Sequence, residues 1–310
     1  MPRIVSLIAS ATEMVAALGQ LENLVGRSHE CDYPESVRSL PVCTKPRIPV
    51  DGDSREIDRL VKETARTSVS IYDVFEDVLE QLEPTHILTQ IQCEVCAVSL
   101  RDVEAAIARG MKTKARIVSL QPNSLADIWD DFRRAAVALG IEQRGEEVIA
   151  ALQARMHPVS RDPAPRVACI EWIEPLMAAG NWTPELIALA GGVDIFGQPG
   201  RHSPWLTWEQ LKAADPDVII VAPCGFDLER TAAEMYWLTN RPDWSSLRAV
   251  NDGRVYLADG NQYFNRPGPR VVETLEILIE ILDGRTANRH ETIGWIHHFW
   301  ALTQTITTSH

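Results

Sequence analysis

The sequence predicts an α/β protein of two similar lobes, each a parallel sheet flanked by helices, bridged by one long helix. Three observations carry this prediction: strand patterns alternate with helical segments, one order of motifs occurs twice, and a helix-forming stretch separates the copies. The predicted divisions are 1–140 for the N-terminal lobe, 141–160 for the bridging helix, 161–285 for the C-terminal lobe and 286–310 for a tail. A chain of 310 residues has room for two such lobes.

The first repeated motif is a strand, a loop and a helix closed by glycine. Residues 2–7 precede a helix that ends at Gly19, and the similar residues 165–170 precede a helix that ends at Gly191. Glycine suits both ends because it tolerates the left-handed conformation that often closes a helix.

The second repeated motif is a short helix that stops before proline and leads into a buried strand. It occurs at residues 79–89, around Pro84, and at residues 211–221, around Pro216. Proline disfavours helical geometry in the residue before it. A third pair of strands, each feeding a loop and then a helix, completes the order: residues 114–120 and 253–257.

The segments outside the repeats receive simpler predictions. Residues 142–156 form helix readily and end before Pro158, so they make a stiff connector. The tail is expected to be a surface helix or a partly disordered end, and no chemistry is assigned to its aromatic and histidine residues: Trp295, His297, His298, Phe299 and Trp300.

Composition and charge exclude several classes of partner. The net charge of −13 argues against nucleic acid and anionic membranes, which attract concentrated Lys and Arg. No apolar run is long enough to span a bilayer, so membrane insertion is not expected. The six cysteines are too sparse for a disulfide scaffold, and the residues after Met1 do not form a signal peptide. The chain as written therefore predicts a cytoplasmic monomer, or a periplasmic one if its true start lies upstream.

The candidate ligand contacts come from loops that follow the predicted strands. Ligands of open parallel sheets bind beyond the carboxyl ends of the strands. The residues selected on this ground are Ser10, Glu30, Cys31, Tyr33, Cys93, Glu94, Cys96, Glu171, Trp172, Trp182, His202, Trp205, Tyr263, Phe264 and Arg266.

Aromatic residues concentrate on the strand-end loops of the second lobe. Trp172, Trp182, Trp205, Tyr263 and Phe264 together would form a wide apolar wall suited to a flat or bulky ligand. Each aromatic side chain taken singly could equally fill the core. Their shared placement after strands favours the wall.

Cys93 and Cys96 have the spacing of a metal-ligating or redox-active pair. The chain contains no second pair of this kind, although His29 and Cys31 could complete a metal site from a neighbouring loop. The alternatives that stay open are a bound metal, contact with the ligand, and simple packing.

Recognisable catalytic motifs are absent from the sequence. It contains no nucleophile elbow, no phosphate-binding loop and no zinc-protease helix motif. The stretch from Ser10 to Glu13 has the spacing of a helix capping box rather than of a nucleophile site. The lone His29 and His202 are more typical of hydrogen-bonded loop residues than of metal ligands. We therefore expect a binding protein that is not an enzyme and needs no cofactor.

Several stretches resemble one known family. The opening residues 3–19, residues 25–28, residues 31–34 and the proline-then-strand pairs are similar to the substrate-binding proteins of vitamin B12 and iron-siderophore importers. The resemblance covers about residues 3–285. Within the family, residues 203–205 and 265–270 resemble the cobalamin-binding branch most. It implies the class III architecture, with two lobes, one long connecting helix, a ligand in the cleft and little hinge motion.

The resemblance also implies a ligand and a partner. The ligand would be cobalamin or another corrinoid, with a ferric siderophore or haem as the alternative within the same architecture. Asp77 and Glu209 lie equally far before Pro84 and Pro216, and they match the acidic residues that dock onto an ABC permease in the resembling importers. Helix acids favoured by the helix dipole are the simpler explanation of both. The alternative from another class is a cytosolic enzyme on the same scaffold that uses Cys93, Cys96 and a nearby His or Glu on a bound metal.

Overall fold

The computed structural model describes residues 1–67, 70–91, 103–104, 114–284 and 289–298. The chain divides into two compact units. The first comprises Met1–Gly52, Glu56–Ala154 and Pro267–Pro269, and the second comprises Asp53–Arg55, Arg155–Arg266 and Arg270–His310.

The first unit is built on a four-stranded parallel sheet. Its order is β2-β1-β5-β6, so the N-terminal strand β1 lies inside the sheet, and its Ile4 and Val5 are fully buried. A small antiparallel pair, β3 and β4, accompanies the sheet. The strands are β1 (Ile4–Ser6), β2 (Leu24–Arg27), β3 (Thr44–Pro46), β4 (Tyr72–Val74), β5 (His86–Gln90) and β6 (Arg116–Leu120). The helices are α1 (Ala9–Ala17), α2 (Ser54–Arg66), α3 (Glu76–Leu82), α4 (Leu125–Leu139) and α5 (Glu142–Gln153).

The second unit repeats this plan and adds antiparallel strands. Parallel β9, β7, β10 and β11 lie side by side, β12 pairs antiparallel with β11, and β8 pairs antiparallel with β7. The strands are β7 (Arg166–Trp172), β8 (Met177–Ala178), β9 (Val193–Asp194), β10 (Val218–Val221), β11 (Val255–Ala258) and β12 (Trp295–His297). The helices are α6 (Thr183–Leu189), α7 (Trp208–Ala214), α8 (Leu228–Glu234), α9 (Tyr236–Thr239), α10 (Arg248–Asn251) and α11 (Val271–Asp283).

The predicted repeat has a counterpart in the topology. β1 lies between β2 and β5, as β7 lies between β9 and β10, and β6 and β11 take the next place outward. The helices α3 and α7 both end in a left-handed residue directly before proline, Glu83 (φ 43°) and Asp215 (φ 40°). Gly19 and Gly191 adopt positive φ as predicted. The predicted α/β fold with parallel sheets and flanking helices is confirmed.

The predicted capping box at Ser10 is wrong. α1 begins at Ala9, its N-cap is Ile8 in an extended conformation, and no side chain caps it. A capping serine must itself be extended, whereas Ser10 already lies within the helix and is buried. Because α1 follows β1 so closely, the packing of this buried helix fixes its start.

The helix between the repeats is shorter than the predicted 141–160. α5 ends at Gln153 and packs against α4 within the first unit, where a Cβ on Gly145 would lie 2.6 Å from the Cβ of Ala136. Arg133 and Glu146 add an exposed ion pair of 2.8 Å between the same helices. The boundaries proposed for the lobes stay predictions.

The tail contains a strand where we expected a helix or disorder. β12 pairs along β11, with Tyr256 opposite His297. The Trp295 indole N–H donates to Glu280 on α11 at 2.9 Å, and His290 Nδ1 lies 2.8 Å from the same carboxylate. Phe299 and Trp300 lie outside the described residues. Among the helices of the described ranges, none has the length and hydrophobicity needed to cross a bilayer.

Candidate ligand-binding site

The strand-end loops of the second unit are bonded to one another. β7, β10 and β11 run parallel, so their carboxyl ends share one edge of the sheet. The Cys224 N–H donates to the Glu171 carbonyl and the Asn261 N–H donates to the Phe226 carbonyl, each at 3.0 Å. Gly260 allows the loops after β10 and β11 to lie against each other, since a Cβ at this position would lie 2.0 Å from the Pro223 carbonyl oxygen. The result is a continuous platform of backbone at this edge.

Two aromatic residues and one arginine contact one another in sequence at the platform. The Trp172 and Phe226 rings are 5.3 Å apart between centroids, and the Arg230 guanidinium lies 3.8 Å from the Phe226 centroid. The Trp172 indole N–H donates to the Ser54 carbonyl at 3.2 Å, which fixes the orientation of the ring. We call Trp172, Phe226 and Arg230 the ladder. The two ring planes are tilted by 58°, and the partly exposed indole offers an aromatic face to a large flat ligand.

Two of the five predicted wall residues offer no open face. Trp182 and Phe264 are only 6% and 2% exposed, so neither ring is accessible to a ligand in this structure. Trp205 is 53% exposed, Trp172 is partly exposed, and Tyr263 is partly exposed with the Arg270 guanidinium 5.2 Å from its centroid. The sequence pattern identifies aromatic residues near strand ends, but it does not distinguish those that turn inward.

Glu171 directly precedes Trp172 on β7, and its side chain lies in a hydrogen-bonded site. The Ser203 hydroxyl donates to its carboxylate at 2.9 Å, and exposed His202 places Nδ1 2.9 Å from the Ser203 carbonyl oxygen. Burial raises the pKa of Glu171, and the bonds from Ser203 and the Gly180 N–H only partly oppose this effect. The side chain therefore fixes the loop around residues 200–205.

Glu171 should make the protein less stable as the pH rises. Its pKa is raised in the folded state, so the unfolded chain releases this proton first, and stability is lost above the ordinary glutamate pKa of about 4.3. In the Glu171→Gln variant this part of the decline should disappear, since an amide oxygen can still accept from Ser203. Thermal unfolding of both proteins from acidic to neutral pH measures it. Glu229→Gln, at an exposed glutamate, is the control, and equal slopes for parent and Glu171→Gln would contradict the prediction.

The predicted ligand contact Arg266 is buried and bonded to its own loop. Its side chain is 4% exposed, and its guanidinium donates to Asn261 Oδ1 at 3.2 Å. Near it, Asp259 accepts from the Gln262 N–H at 2.6 Å and begins the π-helical turn Gly260–Phe264. Burial raises the pKa of Asp259 to about 6. Arg266 thus stabilises the loop of the platform that follows β11.

Candidate residues of the first unit are divided between buried and exposed positions. The Cys31 thiol is buried, accepts from the Thr12 hydroxyl at 3.0 Å, lies 3.2 Å from the Ser28 hydroxyl, and has its pKa raised by burial. Tyr33 is 46% exposed, and Glu30 lies 3.9 Å from His29. The Cys31 thiol is therefore held by contacts with two hydroxyl groups in a buried position.

Of the other proposed metal ligands, only His29 lies within the described residues. Burial lowers the pKa of His29 to about 4, and its Nδ1 lies 2.9 Å from the Thr44 hydroxyl. Within the described ranges, no three His, Cys, Asp or Glu side chains converge on a metal-sized site. Cys93, Glu94 and Cys96 lie outside the described residues, so the hypothesis stays a prediction.

The two predicted docking acids occupy equivalent places. Asp77 and Glu209 are each the second residue of a short helix, α3 and α7, and both are exposed. Buried Leu79 and Leu211 anchor the same turns. Each unit thus carries one exposed carboxylate at the start of the helix that precedes its proline.

Several site residues have no signal in the sequence. Ser54 and Arg55 join the second unit from the start of α2, far along the chain from Trp172. Phe226 and Arg230 follow β10 without a recognisable motif, although a strand-end position alone could have suggested Phe226. Contacts of this kind depend on tertiary packing.

The family comparison gives the class of protein to which this fold belongs. The chain belongs to the periplasmic binding protein family, whose profile matches residues 4–261. Members of this family are substrate-binding proteins, not enzymes, and the sequence-based expectation of a binding protein is confirmed.

Particular similar proteins bind vitamin B12 or haem. The vitamin B12-binding protein of Vibrio cholerae serotype O1 is 31% identical over 101 residues, which is 32% of this chain and 33% of the relative. The alignment thus spans about a third of the curated relatives that the chain matches. The haem-binding protein RhuT of Roseiflexus sp. RS-1 is 25% identical, with a TM-score of 0.63 over 91% of this chain and 98% of RhuT. The vitamin B12-binding protein BtuF of Vibrio cholerae shares the fold, at 20% identity and a TM-score of 0.61 over 91% of this chain and 96% of BtuF.

Proposed function

We propose that the protein binds a corrinoid such as cobalamin on the platform of the second unit. The observation that carries the proposal is the ladder, in which a partly exposed indole is fixed by Ser54 and backed by Phe226 and Arg230. Exposed Trp205 and partly exposed Tyr263 extend the aromatic surface. The vitamin B12-binding relatives support a corrinoid as the ligand.

Haem is the second candidate. The Arg230 and Arg270 guanidinium groups lie beside aromatic rings at 3.8 and 5.2 Å from the ring centroids. Guanidinium groups pair well with carboxylates, and haem carries two of them on a flat ring. Similarity to RhuT supports this alternative.

A ligand screen separates the candidates. Cobalamin, cobinamide, haem and a ferric hydroxamate siderophore are titrated separately while the fluorescence of the nine tryptophans is followed. The proposal expects saturable quenching by cobalamin or cobinamide, with a weaker or absent response to the others. Saturation by haem alone would establish the second candidate, and no response to any of the four would overturn both.

We extend the proposal to a transport partner. Each unit presents one exposed acid at an equivalent position, Asp77 and Glu209, and such acids suit arginines on an ABC permease. The simpler explanation, stabilisation of the first helical turn, contributes only about 0.3–1 kcal/mol for each acid.

Charge reversal at both acids tests the docking. Asp77→Arg combined with Glu209→Arg should leave ligand affinity unchanged and abolish co-purification with the permease, because each arginine would face a like charge. Glu229→Arg is the matched control, since Glu229 is also the exposed second residue of a short helix, α8. Undiminished association of the double variant with a demonstrated permease would rule docking through these acids out.

A further inference from the structure

The short segment Asp53–Arg55 belongs to the second unit, although the chain on either side of it belongs to the first. Both of its ends are held by residues of the second unit. The Tyr236 hydroxyl donates to the Asp53 carboxylate at 3.3 Å, and the Arg55 guanidinium lies 4.1 Å from the centroid of the Trp237 ring. The middle of the segment is therefore kept in a defined place.

The middle residue, Ser54, is bonded through both of its backbone groups. Its carbonyl accepts from the Trp172 indole N–H at 3.2 Å, and its N–H donates to Glu234 Oε2 at 2.9 Å. Ser54 is the first residue of α2, and the N–H groups of a first helical turn lack acceptors within the helix. Glu234 supplies the acceptor from outside, so its side chain helps to place the carbonyl that orients Trp172.

The helix α8 holds the indole through two separate neighbours. Arg230 and Glu234 lie one helical turn apart on α8. Arg230 lies against the Phe226 ring, which packs 5.3 Å from the Trp172 ring between centroids. Glu234 holds Ser54, which accepts from the Trp172 N–H. The contacts therefore form a closed series that begins and ends on one helix and passes through the indole.

Glu234 occupies a position that is unfavourable for an acid. It is the last residue of α8 and is only 6% exposed. A carboxylate is disfavoured at the carboxyl end of a helix by the helix dipole, and its burial is costly unless it is hydrogen-bonded. An apolar residue would avoid both costs but could not accept from Ser54. The bond to Ser54 is thus the feature that explains a glutamate here.

We infer that Glu234 is a positioning residue for the ligand wall, because it holds Ser54 so that the Trp172 indole is fixed before a ligand arrives. Its part in binding rests on the proposed function, since Glu234 is buried and acts through Trp172.

The first test uses the whole chain and no ligand. Protein labelled with ¹⁵N-tryptophan gives nine indole signals, and Trp172→Phe identifies that of Trp172. Glu234→Met keeps the length of the side chain and removes the acceptor, whereas Glu234→Gln keeps an oxygen acceptor. The Trp172 indole N–H should exchange with deuterium at least about tenfold faster in Glu234→Met and within about twofold of the parent in Glu234→Gln, because only the methionine leaves the Ser54 N–H without a partner. Parent-like exchange in Glu234→Met, or equal acceleration in both variants, would overturn the inference.

Two controls separate this effect from general loosening of the second unit. Trp208 and Trp244 lie in its core, and their indole signals should exchange in Glu234→Met as in the parent. Glu229→Met changes an exposed acid of the same helix that lies outside the series of contacts, and it should leave the Trp172 signal unchanged. Acceleration of the core signals by the same factor, or of Trp172 in Glu229→Met, would also overturn the inference.

The second test asks whether Glu234 acts on binding through Trp172. With the ligand established by the screen, Glu234→Met should lower affinity at least about fivefold in the parent and cause no further loss in the Trp172→Ala variant, because residues that act through one contact are not additive. An equal loss in both backgrounds would overturn the positioning role. The exchange measurement needs no corrinoid or haem, so a failed ligand screen overturns the proposed function without deciding how Glu234 affects Trp172.

Discussion

Replacing Trp172 with alanine should weaken binding of the corrinoid about tenfold or more, because the indole supplies the exposed end of the ladder. Loss of an aromatic face from the centre of a binding surface typically costs about 1–3 kcal/mol. The ring packs 5.3 Å from Phe226 and donates to Ser54, so its orientation is fixed before a ligand arrives. Fluorescence titration of parent and variant with the ligand established by the screen measures the effect.

Two further variants test whether the aromatic face itself, rather than a general loss of packing, accounts for the effect. Trp172→Phe keeps a ring and loses only the N–H donated to Ser54, so its affinity should lie between parent and Trp172→Ala. Trp205→Ala removes the most exposed of the predicted wall residues and should also weaken binding about tenfold. Parent-like affinity in both alanine variants, with folding intact, would show that the wall lies elsewhere.

Gly260→Ala should destabilise the second unit by more than about 3 kcal/mol and abolish ligand binding. A Cβ at this position would lie 2.0 Å from the Pro223 carbonyl oxygen and 2.7 Å from its carbonyl carbon. Both neighbours are backbone atoms of the β10 loop, so relief would require two loops of the platform to separate. Urea unfolding and ligand titration report the two consequences.

The neighbouring Gly225 supplies the matched control. It adopts φ +77° and has no atom within 4 Å of a built Cβ, so alanine there meets strain without collision. Left-handed backbone costs about 1–2 kcal/mol for an alanine, a smaller loss that should leave binding measurable. A Gly260→Ala variant as stable as Gly225→Ala would show that the loops tolerate separation.

Local sequence patterns predict the repeated core because its strands have recognisable sequence signals. β5 and β10 each follow a short helix and a proline, and their apolar runs are buried as those runs require. β8 and β9 span two residues each, too few to show any periodicity. The sequence of β12 does not indicate a strand either, since its aromatic and histidine residues fit a helix as well as a strand. Trp295 of this strand also donates to Glu280 on α11, a contact between distant residues that no local pattern predicts.

The sequence predicts where the candidate site lies, but only some of the residues that form it. Strand-end loops identify Glu171 and Trp172 because parallel strands bring their carboxyl ends together. The inward turn of Trp182 and Phe264 depends on how those loops fold back, for which the sequence carries no periodic signal. The bond from Trp172 to Ser54 joins residues 118 positions apart, a distance at which no motif operates.

The strand β12 has a consequence for how the molecule behaves at high concentration. A parallel sheet that ended at β11 would present a row of unpaired N–H and C=O groups, along which another chain could add a strand. Trp295–His297 occupy those groups, and the bonds of His290 and Trp295 to Glu280 keep the short strand in place. The sheet therefore ends in a strand of only three residues, where the Thr292 N–H already donates to the Trp295 carbonyl at 2.8 Å, so an approaching strand finds few backbone groups to pair with.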